Sequence, residues 1–154
     1  MGRRYVGSAL AVAAVLLSLT GCSRGLAVPL PDPLPEGAGA YACANFKSSL
    51  PDEVVGQTVT ATDPRSSFVS AWGDPAIVVR CGVPTPAALG PTSQLVTVDG
   101  IDWLPEQLEN GYLFTTVGRE LNIEVSVPDA YAPEADALVD ISPAVADGIP
   151  VAQG

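Results

Sequence analysis

Two aspartates, Asp99 and Asp102, have a spacing that could place two carboxylates around a cation or in acid–base chemistry. Asp99 precedes Gly100 between two apolar runs, and an Asp-Gly pair in that setting is typical of the type I′ turn of a β-hairpin. Asp102 stands between the apolar Ile101 and Trp103, which is the pattern of the polar face of a strand. A structural turn is the favoured interpretation, and both aspartates stay candidates for a binding face.

Glu106 and Glu109 are a second pair of carboxylates, and they follow Pro105. Their spacing fits the exposed first turns of a short helix, which is the usual meaning of such a pattern. A carboxylate-dependent hydrolase would need a cleft of about 5 to 10 Å between two such groups. A hydrolase that acts on cell-wall polymer is therefore the alternative function.

Arg80, Arg119, Trp72 and Trp103 complete the candidate binding face. The two arginines could hold an anionic group such as a phosphate or a carboxylate. Exposed tryptophans could stack on a sugar or a peptide, whereas buried ones would pack in the core. We favour internal ion pairing of the arginines with acids such as Glu124, placed within cross-strand reach of Arg119, and a core position for at least one tryptophan.

Histidine is absent from the whole sequence. Because histidine supplies most acid–base catalysis near neutral pH and many metal ligands, its absence excludes Ser-His-Asp and Cys-His mechanisms. Carboxylates, tyrosine, or serine with the lone Lys47 remain. The sequence also lacks a glycine-rich phosphate loop and the spacing of a metal site. We therefore expect neither an enzyme nor a bound cofactor or metal.

The first 22 residues have the pattern of a bacterial lipoprotein signal. Arg3 and Arg4 precede an uncharged apolar run, 6–19, which is too short to cross a bilayer comfortably and is typical of a signal peptide. The run ends in Leu-Thr-Gly directly before Cys22. We predict that Cys22 is diacylated, becomes the mature N-terminus and anchors the protein on the extracytoplasmic face of the plasma membrane.

Removal of residues 1–21 would leave 133 residues, which is enough for one domain. They carry five basic and 17 acidic residues, a net charge of −12. A chain with this negative charge cannot replace the cations that surround nucleic-acid phosphates. Anionic lipid headgroups repel it as well. Attachment would depend on two acyl chains, which anchor stably where one does not. We expect as partners the membrane, through that anchor, and an envelope protein or a cell-wall ligand.

Cys43 and Cys81 are the two remaining cysteines. An even number of cysteines in an oxidising compartment indicates a disulfide, here closing a loop of 39 residues (43 through 81). A reactive thiol is the alternative, but Cys43 has no CxxC partner and no neighbouring cation except Lys47.

Prolines at positions 29, 31, 33 and 35 predict an extended, semi-rigid tether over 22–39. At ~3.1 Å per residue such a tether could reach on the order of 50 Å. A flexible disordered leader is the alternative. One globular domain would then occupy 40–151.

Apolar periodicity predicts the elements of that domain. Helices are predicted at 40–50 and 133–147, the second kinked or interrupted at Pro143, and strands at 57–62, 68–72, 76–81, 95–98, 101–103, 112–117 and 121–127. The predicted fold class is α+β. It consists of a small antiparallel sheet of about five to six strands, packed by an N-terminal and a C-terminal helix, with one disulfide.

Four strings of this sequence resemble a known family: AWGDP (71–75), VVRCGVP (78–84), VDGIDW (98–103) and FTTVGR (114–119). The family is an actinobacterial lipoprotein family catalogued as a domain of unknown function, number 3515, and the resemblance covers roughly 40–127. It implies a small secreted or lipid-anchored domain with no established activity, so no catalytic residues carry over. We predict a lipid-anchored envelope protein whose domain binds or scaffolds without catalysis.

Overall fold

The computed structural model describes residues 1–2 and 25–153, and within them ten strands and two helices. In chain order these are β1 (Leu26–Ala27), α1 (Gly37–Ser49), β2 (Glu53–Val54), β3 (Gln57–Thr60), β4 (Thr62–Asp63), β5 (Val69–Trp72), β6 (Ile77–Val83), β7 (Val96–Val98), β8 (Ile101–Leu108), β9 (Gly111–Val117), β10 (Asn122–Pro128) and α2 (Asp136–Gly148). A 3₁₀ turn, Asp129–Tyr131, precedes α2. In the described ranges no helix is long and apolar enough to cross a membrane. Residues 3–24, which include Cys22 and all but the first two residues of the predicted signal peptide, lie outside those ranges.

The predicted α+β fold with a small sheet is wrong, because the chain is mostly β. Eight strands form one antiparallel sheet in the order β2-β3-β5-β6-β10-β9-β8-β7, and β1 pairs with β4 in a separate parallel ribbon. Seven of its eight strands coincide with individually predicted strands, and all seven join one sheet. The eighth, β2, has only two residues, too few to show a strand period. β1 and β4 are equally short.

The short helix predicted after Pro105 is also wrong. β8 continues through Pro105 to Leu108, so Glu106 belongs to a strand and Glu109 to the turn that follows. The pairing of β7 with β8 stops at Trp103, whereas β9 pairs with β8 from Asp102 to Leu108. At Pro105 the strand therefore has a neighbour on one side only, and a proline without an N–H is tolerated at such an edge.

Both helices pack on one face of the sheet, which we call the core face. Alternate residues of β6 and β10 point to it and are buried, among them Val79, Cys81, Ile123 and Val125. The predicted helices are confirmed in position, and α2 is one continuous helix with Pro143 inside it. α1 and α2 approach closely, since a Cβ at Gly148 would lie 2.8 Å from the Cα of Phe46.

Two local predictions, the hairpin turn and the disulfide, are confirmed. Asp99 and Gly100 have φ angles of 49° and 76° between β7 and β8, as a type I′ turn requires. Cys43 of α1 is bonded to Cys81 of β6, and both are fully buried. The disulfide therefore joins the helical layer to a central strand of the sheet.

Residues 26–35, which we call the strap, lie along the sheet on the side opposite the helices. β1 pairs with β4, Val28 and Pro31 are buried, and a Cβ at Gly82 would clash with the ring of Pro35. The described part of the predicted tether is therefore packed against the domain instead of extending away from it. The division of the chain into 1–21, 22–39 and 40–151 otherwise stays a prediction.

We expect the Cys43→Ala/Cys81→Ala variant to lose about 4 kcal/mol of unfolding free energy, because the unfolded chain regains the entropy of an open 39-residue loop. Urea denaturation measures the change. Reductant should lower the stability of the wild type toward that of the variant and leave the variant unchanged. A variant as stable as the oxidised wild type would contradict a stabilising disulfide.

Candidate functional site

The candidate site lies on the other face of the sheet, which we call the open face. Residues that are directly opposite on paired strands share a face, and the register places Glu124 of β10 between Arg80 of β6 and Thr115 of β9. Each is flanked along its strand by residues of the core face, as the alternation of a strand requires. Three polar side chains from three adjacent strands therefore form a row across the open face.

Arg80 and Glu124 form an ion pair at the centre of this row. The Nε and Nη2 atoms of Arg80 donate to Oε1 of Glu124 at 2.7 and 2.6 Å. The side chains are 26% and 13% exposed, so both charges are largely removed from bulk water. Within residues 25–153, Nη1 of Arg80 and Oε2 of Glu124 have no hydrogen-bond partner. The pair therefore keeps N–H donors on Arg80 and an acceptor on Glu124 available.

Thr115 is the unusual member of the row. Its side chain is 1% exposed, and its Oγ1 has no hydrogen-bond partner among the described residues. Buried hydroxyls are nearly always bonded, and an unsatisfied one costs about 1 to 3 kcal/mol. The neighbouring Thr116 is different, because its Oγ1 accepts a hydrogen bond from the backbone N–H of Ile123 at 2.9 Å. Thr115 is thus a polar group that the fold itself leaves unsatisfied.

The strap and the loop after β6 form the walls of a groove over this row. Two cavities open along the groove, with volumes of about 330 Å³ and 420 Å³, and both have Arg80 and Glu124 in their lining. The first, which we call the polar cavity, is also lined by Leu30, Pro31, Asp32, Val83, Pro84, Pro86, Ala87, Ala88, Glu106 and Thr115. The second, the apolar cavity, is also lined by Leu26, Ala27, Val28, Pro29, Ala76, Val78, Leu113 and Ser126.

The polar cavity is rich in negative charge. Its lining holds the carboxylates of Asp32, Glu106 and Glu124 against a single cation, Arg80. Across the described ranges, no group of three or more Asp, Glu, Cys or His side chains is arranged to hold a metal ion. The three carboxylates therefore surround a cavity large enough for an organic ligand and do not converge on one point.

The two tryptophans of the predicted binding face are both core residues. Trp72 and Trp103 are almost fully buried. The indole N–H of Trp72 donates to the carbonyl of Pro51 at 3.1 Å, whereas Nε1 of Trp103 has no partner within the described residues. Neither ring offers a stacking platform, so the favoured core position is confirmed and both tryptophans leave the candidate binding face.

The two predicted aspartates serve the hairpin between β7 and β8. Asp99 occupies the turn, and Oδ1 of the exposed Asp102 accepts a hydrogen bond from the hydroxyl of Thr97 at 2.6 Å. Neither residue lines the groove. The structural interpretation of this pair is therefore the correct one.

Arg119 is separate from Arg80, and its predicted pairing with Glu124 is wrong. It lies beyond the end of β9, where its Nη1 donates to the carbonyl of Ile149 at 3.0 Å and its backbone bridges to Val151. Glu124 is already paired with Arg80 from the neighbouring strand. Arg119 thus fastens the C-terminal segment to the turn between β9 and β10.

Lys47 is the basic side chain that a catalytic serine would need in the absence of histidine. Its Nζ donates to the backbone carbonyls of Ser66 and Val69 at 2.6 and 2.8 Å. Burial lowers the pKa of this amine from its ordinary value, but two carbonyl acceptors favour the protonated form that donates to both. Lys47 is therefore a structural donor that connects α1 to the start of β5.

Sequence comparison places the chain in a family. A family model described as protein of unknown function, DUF3515, matches residues 6–153. The chain belongs to this family. No curated protein and no solved structure matches the chain. The predicted domain of unknown function is thereby confirmed, while the actinobacterial and lipoprotein parts of the resemblance stay predictions for this DUF3515 member.

Thr115 offers a direct test of the groove because its hydroxyl has no partner in the fold. We expect Thr115→Val to raise the free energy of unfolding by up to about 1 to 3 kcal/mol, since it removes an unsatisfied buried hydroxyl and keeps the side-chain shape. Thr116→Val is the matched control and should destabilise by about 1 kcal/mol, because it removes an acceptor that is in use. Urea denaturation measures both, and a destabilised Thr115→Val would show that the hydroxyl has a role within the fold.

Proposed function

We propose that the protein is a lipid-anchored envelope protein on the extracytoplasmic face of the plasma membrane, and that its domain binds a ligand without catalysis. The anchor is supported by the charged n-region, the apolar run and the Leu-Thr-Gly-Cys sequence that ends at Cys22. The buried disulfide suits an oxidising compartment. The mature charge of −12 favours partners other than nucleic acid.

The observation that carries the binding role is the groove over Arg80, Glu124 and Thr115. Ligand sites are concave, with apolar walls and a few converging polar groups. Here the walls come from the proline-rich strap and the loop after β6, and the polar groups lie on strands of a large sheet. Side chains on strands are held more rigidly than side chains on loops, so these groups are positioned before a ligand arrives.

The packed strap also determines how the domain would sit on the membrane. A Cβ at Gly25 would lie 2.7 Å from the carbonyl carbon of Thr62, so the chain is in close contact with the domain from this residue onward. Two residues separate Cys22 from Gly25, and even a fully extended chain spans only about 11 Å over these three Cα–Cα steps. An acylated Cys22 would therefore hold the domain beside the bilayer, in place of the predicted reach on the order of 50 Å.

A carboxylate-dependent hydrolase acting on cell-wall polymer is the second candidate. The observation in its favour is that Asp32, Glu106 and Glu124 line the same cavity. Glu124 is less suited to acid–base work, since its Oε1 accepts two hydrogen bonds from Arg80. Hydrolysis of purified wall polymer that is lost in both Glu106→Gln and Asp32→Asn would establish this second function in place of the first.

Metabolic labelling with a clickable fatty acid tests the anchor. We expect label on the wild-type protein and none on Cys22→Ala, because the thiol of Cys22 is the proposed site of acylation. Cys43→Ala/Cys81→Ala should keep its label, since those thiols are joined to each other inside the domain. Label retained on Cys22→Ala would disprove the lipoprotein proposal.

Cross-linked capture from intact envelopes tests the groove. We expect Arg80→Ala and Thr115→Val to lose captured material at least tenfold, because both remove polar groups of the groove. Arg65→Ala is the matched control for loss of a cation, since Arg65 is exposed and lies outside both cavities of the groove. Thermal melting verifies that each variant is folded. Equal capture by folded wild type and groove variants would contradict the proposed binding surface.

A further inference from the structure

We propose that the groove recognises a peptide with a free amino terminus followed by an apolar residue. The proposal rests on the proposed function, because it assigns a ligand to the same groove. The ammonium group would lie in the polar cavity, the first peptide carbonyl over Arg80, and the apolar side chain in the second cavity. Three independent features of the described residues lead to this assignment.

The first feature is the charge of the polar cavity. Asp32, Glu106 and Glu124 outnumber the single Arg80 in its lining. An anion entering this cavity would meet more carboxylates than cations, and the only guanidinium is already engaged with Glu124. A cation is attracted instead, and the low dielectric of a partly buried cavity strengthens that attraction. The ligand group in this cavity is therefore positively charged.

The second feature is the set of hydrogen-bonding groups that the fold leaves available. An ammonium has three N–H donors and no acceptor. Oε2 of Glu124 and Oγ1 of Thr115 both can accept, and neither has a partner among residues 25–153. A primary ammonium, with several donors on one atom, could therefore bond to the charged acceptor directly, and it would reach the hydroxyl once the side chains that cover Thr115 move aside.

The third feature is the division of the groove into a polar and an apolar part. The two cavities share Arg80 and Glu124, and the strap runs along both. Arg80 lines both cavities and keeps N–H donors that its pairing with Glu124 does not use, which suits a peptide carbonyl. Beyond it, Val28, Val78 and Leu113 line the apolar cavity. A ligand that spans both cavities thus presents an ammonium, then a carbonyl, then an apolar side chain, which is the order at a peptide amino terminus.

Isothermal titration with three short probes tests the proposal on the purified Cys22→Ala protein. Glycyl-leucinamide carries all three groups, N-acetyl-glycyl-leucinamide lacks the ammonium, and glycyl-glycinamide lacks the apolar side chain. We expect glycyl-leucinamide to bind and each of the other two to bind at least tenfold more weakly. The affinity of glycyl-leucinamide should also fall as salt is raised, because screening weakens the charge interaction.

Protein variants locate the ammonium in the polar cavity. Glu106→Gln and Thr115→Val should each weaken glycyl-leucinamide at least threefold while leaving its advantage over glycyl-glycinamide intact. Glu109→Gln is the matched control, because Glu109 is exposed and lies outside the groove lining. Melting curves identify any variant that is not folded, and Glu106→Gln, which changes a half-buried strand residue isosterically, keeps the test valid if Thr115→Val fails.

Two results would overturn this assignment. Equal binding of the acetylated and free-amine probes would show that the ammonium is not recognised. No binding of glycyl-leucinamide at millimolar concentration would remove the ligand class altogether. In either case, envelope capture that still depends on Arg80 would preserve the proposed binding function and exclude only the peptide ligand.

Discussion

Three consecutive residues of β6, Arg80, Cys81 and Gly82, join the layers of this protein. Cys81 points to the core face and is bonded to Cys43 of α1. Arg80 points to the open face and pairs with Glu124, while Gly82 lies under Pro35 of the strap. A shift of one residue in this strand would exchange the two faces. Because the disulfide fixes which residues of β6 face the helices, it also keeps Arg80 on the face of Glu124 and Gly82 on the face of the strap.

Local parts of this fold could be predicted from the sequence, and its long-range pairings could not. The Asp99-Gly100 turn and the alternation over 121–127 are signals that lie within a few residues of each other, and the structure confirms both. β6 and β10 are paired although β7, β8 and β9 lie between them in the sequence. No turn connects the two strands directly, so their pairing could not be predicted from a local sequence pattern. The two-residue strands and the passage of β8 through Pro105 depend on neighbours that only the folded sheet supplies.

The candidate site was predictable at one residue, Arg80, because a charge within a β-branched run has to face away from the core. The predicted ion pairing with Glu124 is confirmed for Arg80 and wrong for Arg119, because the hairpin of β9 and β10 does not show that β6 lies on the other side of β10. No sequence pattern indicates that Thr115 belongs to the candidate site, because threonine is common in strands. Only the tertiary structure shows that the hydroxyl of Thr116 accepts a hydrogen bond and that the hydroxyl of Thr115 has no partner among the described residues. The strap was missed because its prolines, which lack N–H groups, resemble a linker, although the buried positions Val28 and Pro31 pack against the sheet.

The prolines of the strap, which in the sequence predict an extended tether, favour an ordered wall of the groove in the folded protein. Prolines reduce the conformational freedom of the unfolded chain, so ordering this segment costs less entropy than ordering a glycine- or serine-rich one. A wall that is already ordered does not have to be immobilised when a ligand binds, which favours affinity. In the proposed anchored form, the same segment connects Cys22 to the groove within a few residues. Membrane attachment and the shape of the groove would then depend on one short stretch of chain, and any force that pulled the strap from Gly82 would open both cavities at once.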